Sequence, residues 1–313
     1  MVAPKNVSLR HLRCFLEIAR TGSFTTAAAR LYMTQSSLTA VIQQFEESIG
    51  VKLFDRSTRR VSLTEEATRF LEEARAIVNR FDSAIGDLCS FAQLQQGHLR
   101  VAAAASIIEK FLVHAMTRYR ALYPNITISI RDTTSAVVEQ MLSNGEIDFA
   151  LTSRHRGMSE LVYTPLLSDS YGVVFAPDDA LAVSDEPLDW KALDASRYIG
   201  FSADTGVGSF LRENVAHTAL FEGVRDEISS TTSLYSVLKI GGRYSIVPAL
   251  AAHAELPQMK FRPLRSPTLV REICLITRSM RSLSPSAEAF LRITQDVMRE
   301  TALPREVSLA TPA

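Results

Sequence analysis

The sequence predicts an α/β protein in three parts: a small helical domain closed by a hairpin, one long helix, and a larger region where strands and helices alternate. Three observations predict it. Apolar residues recur at three-and-four spacing in three short runs before residue 50, the mark of helices with one buried face. An unbroken 4-3 repeat then extends over about four heptads. Beyond Gly97, short apolar or alternating runs bounded by turn residues are interleaved with helical ones, the order of a parallel sheet. The 313 residues, 46% hydrophobic and 22% charged, have room for about two globular domains, which excludes a disordered or fibrous chain.

The longest apolar run, Val101 to Ile108 with Ser106 inside it, is far short of the ~18 residues a membrane span needs. Asn6, Ser8, Arg10, His11 and Arg13 stand where a signal peptide would be apolar, so a cytoplasmic protein with no membrane partner is expected. Cys14, Cys89 and Cys274 are odd in number and far apart, which indicates neither a disulfide framework nor a zinc site. Zero net charge argues against an indiscriminate coat for nucleic acid. The first sixty residues nevertheless carry nine lysines and arginines against four carboxylates, so positive charge is concentrated at the front.

Leu9, Leu12, Phe15, Leu16 and Ala19 form the inner face of a first helix, ended by Thr21, Gly22 and Ser23. Ser23 caps a second, Phe24 to Leu31, whose Ala27, Ala28 and Leu31 allow close packing. Thr34 caps a third, Gln35 to Glu46, with Leu38, Val41, Ile42 and Phe45 inward. Two short helices about a tight turn make a helix-turn-helix. The outer face of the third helix is Gln35, Ser36, Ser37, Thr39, Ala40 and Gln43, without a carboxylate. Glutamine can pair with adenine edges, hydroxyls can bond bases or phosphates, and small residues let the backbone approach. An ordinary solvated face is the competing reading. Val51 to Phe54 and Arg60 to Leu63 then read as strands around a tip holding Arg56, Arg59 and Arg60. Such a wing would track phosphates or enter a minor groove; the alternative is a solvated charged loop.

From Leu63 the apolar positions run Ala67, Phe70, Ala74, Ile77, Phe81, Ala84, Leu88 and Phe91, a coiled-coil seam. A helix of roughly thirty residues is longer than one small domain can cover. Phe70, Ala74, Ile77, Phe81 and Leu88 are therefore expected to join two copies of the chain, against the alternative of packing on their own domain.

Leu12 to Ala19, Gly22-Ser23-Phe24, Ala27-Ala28, Leu31, Gln35, Leu38-Thr39, Ile42, Phe45-Glu46, Gly50, Leu53-Phe54, Arg56 and Leu63-Thr64 resemble, in order, the winged helix-turn-helix of LysR-type transcriptional regulators. Phe45 stands where that family usually has Leu, and Ala67 where Gly is common. The resemblance implies that Gln35, Ser36, Ser37, Thr39 and Gln43 contact operator DNA, with Arg56 and Arg59 near phosphates or the minor groove. Ser23, Thr34 and Arg60 complete the expected DNA-binding set. It also implies a homodimer or homotetramer, with RNA polymerase as a further candidate partner.

Beyond Gly97, strands are expected at Leu99 to Ala105, Ile126 to Ile130, Ile147 to Thr152, Tyr171 to Phe175, Tyr198 to Phe201, Glu227 to Ser229, Tyr244 to Val247 and Ile273 to Thr277. Helices are expected from Ser106 to Tyr123 and at Val137 to Leu142, Val207 to Leu220, Leu234 to Ile240 and Ser286 to Met298. In such sheets ligands bind at the carboxyl ends of strands, here Ser106, Thr134, Ser135, Arg154, Phe201, Ser202, Thr231 and Thr232. Taken singly, each hydroxyl is more simply a helix cap. The region resembles the effector-binding domain of the same regulators, built like a periplasmic binding protein from two lobes joined by crossing strands. The resemblance places Ser106 and Ser135 against a small-molecule effector and matches Phe201, Thr232 and Pro248 to the second lobe. The expected organisation is residues 1–62 winged helix-turn-helix, 63–96 linker helix, 97–165 with 268–300 first lobe, 166–267 second lobe, and 301–313 tail. Arg131, Arg154 and Arg156 near strand ends suggest an anionic effector.

Two other classes compete: a ligand-independent repressor or architectural DNA-binding protein, and an α/β enzyme fused to a DNA-binding domain. G-x-S-x-G, G-x-x-x-x-G-K-[ST] and H-E-x-x-H motifs are missing, and the six histidines are dispersed, so no catalytic residue, metal or cofactor is expected. A cysteine switch is disfavoured because the region after residue 97 holds only Cys274.

Overall fold

The computed structural model of the chain describes residues 7–56, 61–92, 97–215, 219–221, 226–255 and 258–310. Two compact units make up the chain, the first running to Leu88 and the second taking up most of the remaining residues.

The first unit opens with α1 (Leu9–Thr21), α2 (Phe24–Arg30) and α3 (Gln35–Ile49). Leu12, Phe15, Ile18, Ala27, Leu38, Ile42 and Phe45 are buried in one core, as their spacing requires. Gly50 takes the left-handed conformation that ends α3; no earlier residue does so, and the helix runs three residues past Glu46. The next element is a hairpin of β1 (Phe54–Arg56) and β2 (Val61–Leu63), which pairs Phe54 with Leu63 and Arg56 with Val61. It starts later than the apolar run at Val51 because the preceding backbone is bonded elsewhere. Leu53 donates its N–H to Glu46 at 2.9 Å, and the Lys52 carbonyl accepts from the Thr64 hydroxyl at 2.9 Å.

The long helix α4 (Glu65–Ala92) divides its apolar seam. Ala67, Ala74 and Val78 are buried in the core of the helix-turn-helix, and Phe70 packs there with its ring 5.8 Å from Phe15 and 6.4 Å from Phe45. Ala74, expected between subunits, is thus buried within its own domain, and Phe70, expected there too, is half-buried against the same core, because the small side chains at 67 and 74 let the helix lie against it. Ile77, Phe81 and Ile85 remain 45%, 40% and 44% exposed. Leu88 is on the helix, but its side chain lies outside the described residues.

The second unit runs β3 (Gly97–Ala103), α5 (Ala105–Ile107), a π-helical turn (Ile108–Leu112), α6 (Val113–Leu122), β4 (Ile126–Arg131), α7 (Ser135–Ser143), β5 (Phe149–Ser153) and β6 (Leu161–Phe175). It continues with β7 (Leu188–Asp189), β8 (Ile199–Phe201), α8 (Gly206–Val215), β9 (Asp226–Ile228), α9 (Thr231–Leu238), β10 (Tyr244–Pro248), α10 (Ala249–Glu255), β11 (Lys260–Arg265), β12 (Val270–Arg278), α11 (Pro285–Glu300) and β13 (Val307–Leu309). β3 pairs parallel with β4 and β5, and β8 with β9. At the edge of the main sheet β11 pairs parallel with β7, and the remaining pairs are antiparallel around β6, fifteen residues long. Its first part pairs with β12 and its last with β10 and β11. The sheet is therefore mixed rather than parallel throughout. Residues 301–310 are not a loose tail: Val307 to Leu309 pair with Leu167 to Asp169 of β6.

Side chains on one face of β6 belong to different cores. Leu167 lies in an apolar core with Leu99, Phe111, Leu250, Ile273 and Phe290. Tyr171, Val173 and Phe175 lie in another with Trp190, Leu211 and Ile246. Two apolar cores on a shared strand are the physical content of two lobes.

Glu46 yields the first prediction. Burial pushes its carboxyl up, but the Lys52 ammonium 2.8 Å away and the N–H groups of Leu53 and Phe54 outweigh that and hold it below the usual carboxylate range. A lowered folded value means stabilisation that is complete above the unfolded pKa and is lost as pH falls through the folded one. Glu46→Ala, which also strands the Leu53 N–H, is expected to cost about 1–3 kcal/mol at pH 7. In urea titrations the gap between the two proteins should narrow below roughly pH 4.

Candidate functional site

The first candidate surface is the start of α3. Leu38, Ile42 and Phe45 fix its inner face, leaving Gln35, Ser36, Ser37, Ala40 and Gln43 exposed and Thr39 half-buried. Thr34 caps the helix, its Oγ1 accepting from the Ser37 N–H at 3.2 Å and lying 3.0 and 2.8 Å from the Ser36 and Ser37 hydroxyls. Ser23 caps α2 in the same way, accepting from the Thr26 N–H. Gln35 accepts from the Thr25 hydroxyl at 3.1 Å, and Thr39 donates to the Gln35 carbonyl at 2.8 Å, so a small network orients both. Arg56 is in β1, its side chain outside the described residues, as are Arg59 and Arg60 entirely.

Sequence reasoning missed Tyr32. It stands in the turn between α2 and α3, 98% exposed, with φ at +54°. A bulky residue in that region is strained, and nothing in composition or periodicity signals it.

The second candidate surface lies at strand ends in the second unit. Because β3, β4 and β5 are parallel, Ser106, Thr134, Ser135 and Arg154 follow their carboxyl ends and share a rim. Thr134 receives the Val137 N–H at the start of α7, and the Ser135 hydroxyl lies 3.3 Å from that of Thr152. Arg154 is exposed, its guanidinium 5.0 Å above the Tyr163 ring. That phenol donates to the buried Glu139 at 2.9 Å, and burial first, then Glu139, pushes it up to about 12. Ser106 is not the cap of α5, a place taken by Ala104. It is buried one residue into the helix, where its hydroxyl accepts from Arg271 at 2.9 Å.

In the other lobe, Phe201 is buried in a core with Ile199, Leu234 and Val247, and Pro248 is the buried last residue of β10. Thr232 is exposed in the first turn of α9, which Ser230 caps. Ser202 follows β8 where the chain turns into α8, and its Oγ is sealed from solvent with no partner among the described residues. The turn is tight: a Cβ at Gly208 would lie 2.1 Å from the Ser202 carbonyl. Arg243 faces Asp226 and the Ser196 carbonyl.

The two rims meet through a chain of hydrogen bonds. Arg271 of β12 lies directly across from Asp169 of β6. Its Nε and Nη2 donate to Asp169 Oδ2 at 3.0 and 2.7 Å, and Nη2 also reaches Ser106. Asp169 Oδ1 accepts the Leu250 N–H at 3.0 Å, two residues after Pro248. Neither Asp169 nor Arg271 stands out in the sequence as a site residue; the only signal is Arg271 two positions before Ile273, on the face that alternation buries.

Comparison with known proteins decides the family. Residues 9–68 match the model of the bacterial regulatory helix-turn-helix protein, lysR family, and residues 92–299 match the LysR substrate binding domain. The chain belongs to the LysR family. It is 29% identical over 287 residues to the HTH-type transcriptional regulator YbhD of Escherichia coli, covering 91% of this chain and 90% of that one. It is 27% identical over 246 residues to the transcriptional activator protein LysR of Escherichia coli, with 79% of each covered. In fold it is similar to full-length CbnR in complex with its target DNA, with TM-score 0.68, 19% identity and coverage of 93% and 100%. It is also similar to a full-length OxyR variant from Pseudomonas aeruginosa, with TM-score 0.68, 18% identity and coverage of 98% and 99%.

This LysR-type protein is therefore a DNA-binding transcriptional regulator and not an enzyme. Among the described residues no helix is long and apolar enough to cross a membrane. The Cys274 thiol is buried and donates to Glu272 at 3.6 Å; burial first, then that carboxylate, pushes it up to about 12. Burial also raises Cys14. Iodoacetamide at pH 8 should alkylate Cys274 at least about a hundredfold more slowly in the native chain than in urea, read by peptide mass spectrometry; fast native labelling would show an accessible thiolate.

Proposed function

We propose that this LysR-type regulator works in the cytoplasm as a homo-oligomer, reading operator DNA through α3 and the wing and changing state when a small molecule binds between the two lobes. The observation that carries the DNA reading is the exposed face of Gln35, Ser36, Ser37, Ala40 and Gln43, which has no carboxylate and lies opposite a buried apolar face. Gln35 and Gln43 supply paired donor and acceptor groups to base edges, while Ser36, Ser37 and Thr39 reach bases or phosphates. Ser23 and Thr34, engaged as caps, hold the helix starts at the backbone. Arg56, Arg59 and Arg60 add sequence-independent attraction to phosphates. Ser106, Thr134, Ser135, Arg154, Phe201, Ser202, Thr232 and Pro248 line the effector site in this reading. Ligand binding shifts the equilibrium by its differential affinity for the two lobe arrangements.

Subunits pair through the most exposed apolar part of α4, Ile77, Phe81 and Ile85, where Arg13 lies over the Phe81 ring, with Leu88 continuing the seam. Pairing places two reading helices on two half-sites and raises affinity through effective concentration.

Gel-shift titration checks the DNA assignment. Gln35→Ala should cost about 1–3 kcal/mol on the preferred operator and change sequence preference, whereas Arg59→Ala should weaken all sequences and reduce the salt slope by about one. Unchanged binding in both would remove the assignment. The pairing face is checked by sedimentation: Ile77→Asp with Phe81→Asp should yield a smaller species with unchanged far-UV dichroism. Phe70→Ala should instead lower stability by about 2 kcal/mol or more, because its ring is part of the domain core.

A further inference from the structure

We propose that Arg271 receives the charged end of the effector, and that the ligand is a small carboxylate or similar oxyanion. This rests on the reading of the second unit as an effector-binding domain. Along one face of β6, Leu167 belongs to the core of one lobe and Tyr171 to that of the other, and Asp169 stands between them. Arg271, opposite Asp169, is therefore at the junction of the lobes, and it is only 8% exposed.

A guanidinium this deeply placed needs its charge matched; Asp169 supplies that match, but the hydrogen-bond donors of the guanidinium are not all used. Arginine–carboxylate pairs are frequently bidentate, with two carboxylate oxygens against two guanidinium nitrogens. Instead a single oxygen of Asp169 accepts both Nε and Nη2, while the other is drawn to the Leu250 N–H. The Nη1 group donates to no atom among the described residues, yet it is not sealed away like the Ser202 hydroxyl. It keeps access to the space beside it. Ser106 accepts from Nη2 and has no acceptor for its own proton among the described residues. Arg271 and Ser106 thus offer N–H and O–H donors from one corner of the lobe junction, an arrangement an oxyanion completes.

The other arginines near strand ends are less suited to the task. Arg131, Arg154 and Arg156 are exposed, and Arg154 is laid over Tyr163. Water and salt screen such charges, whereas Arg271 is held away from bulk water with Nη1 still without a partner among the described residues.

The test uses the full chain at constant ionic strength, titrated by calorimetry and thermal shift with acetate, succinate, benzoate and phosphate, and with acetamide, succinamide and benzamide as uncharged counterparts. At least one anion should bind saturably, more tightly than its amide. Arg271→Lys should lose at least tenfold in affinity for that anion. Ser106→Ala, which leaves the ion pair intact, should lose several-fold. Asp169→Asn, which removes the competing negative charge at nearly constant shape, should gain several-fold, a direction that a purely structural pair does not produce. Equal anion affinity in wild type, Ser106→Ala and Asp169→Asn overturns the proposal and leaves the pair as a clasp between the lobes. Binding of amides without anions overturns it while the effector reading stands; binding of neither class overturns both.

Discussion

One buried carboxylate organises the second unit. Asp169 is wholly enclosed where β6 leaves one apolar core and enters the next, and a charge in that position is tolerable only with partners on every side. The cluster draws on four separate stretches of chain: Asp169 itself, Arg271 from the returning strand, Ser106 from the helix after β3, and Leu250 from the helix after β10. Register between the crossing strands, the placement of α10 and the position of the α5 hydroxyl are consequently one constraint. A slip of one residue in β6 would turn the carboxylate to the opposite face and strand the guanidinium.

The exposed face of α3, proposed above to read DNA, is organised differently. Its hydroxyls are short and largely committed to the helix itself, with Thr34 at the cap and Thr39 on the preceding turn. The remaining exposed groups are two amides, of which Gln35 is held by the Thr25 hydroxyl, and small side chains. That division keeps the helix start rigid, and the contact from Thr25 restricts the Gln35 side chain, which would otherwise lose much rotamer freedom on ordering.

The front domain was legible because helix periodicity, Ser23, Thr34 and Gly50 all specify the same boundaries. The 4-3 repeat of α4 was equally legible, but a repeat says only that a face is apolar and not what covers it. Phe70 and Ala74 answer to the domain core, and Ile77 and Phe81 to solvent, although all four occupy the same pattern. In the α/β region the pattern failed where polar residues sit in strands. The first ten residues of β6 include Pro165 and Asp169 and read as a connection; Pro165 is accommodated at an irregularity in the pairing with β12. β11, with Pro263 and alternating charges, and the three-residue β13 were hidden for similar reasons. The hydroxyl positions were found from strand ends, but the carboxylate and guanidinium that tie the rims together come from residues distant in sequence, a pairing no local pattern contains.

The division of α4 carries a mechanical consequence. Because Ala67, Ala74 and Val78 are set into the same core as Leu38 and Ile42, the first half of α4 and the inner face of α3 are packed as one block. A rotation of that half of α4 would therefore carry α3 with it. If two copies pair through α4 as proposed, the angle at which their helices cross would set how far apart the two α3 helices lie.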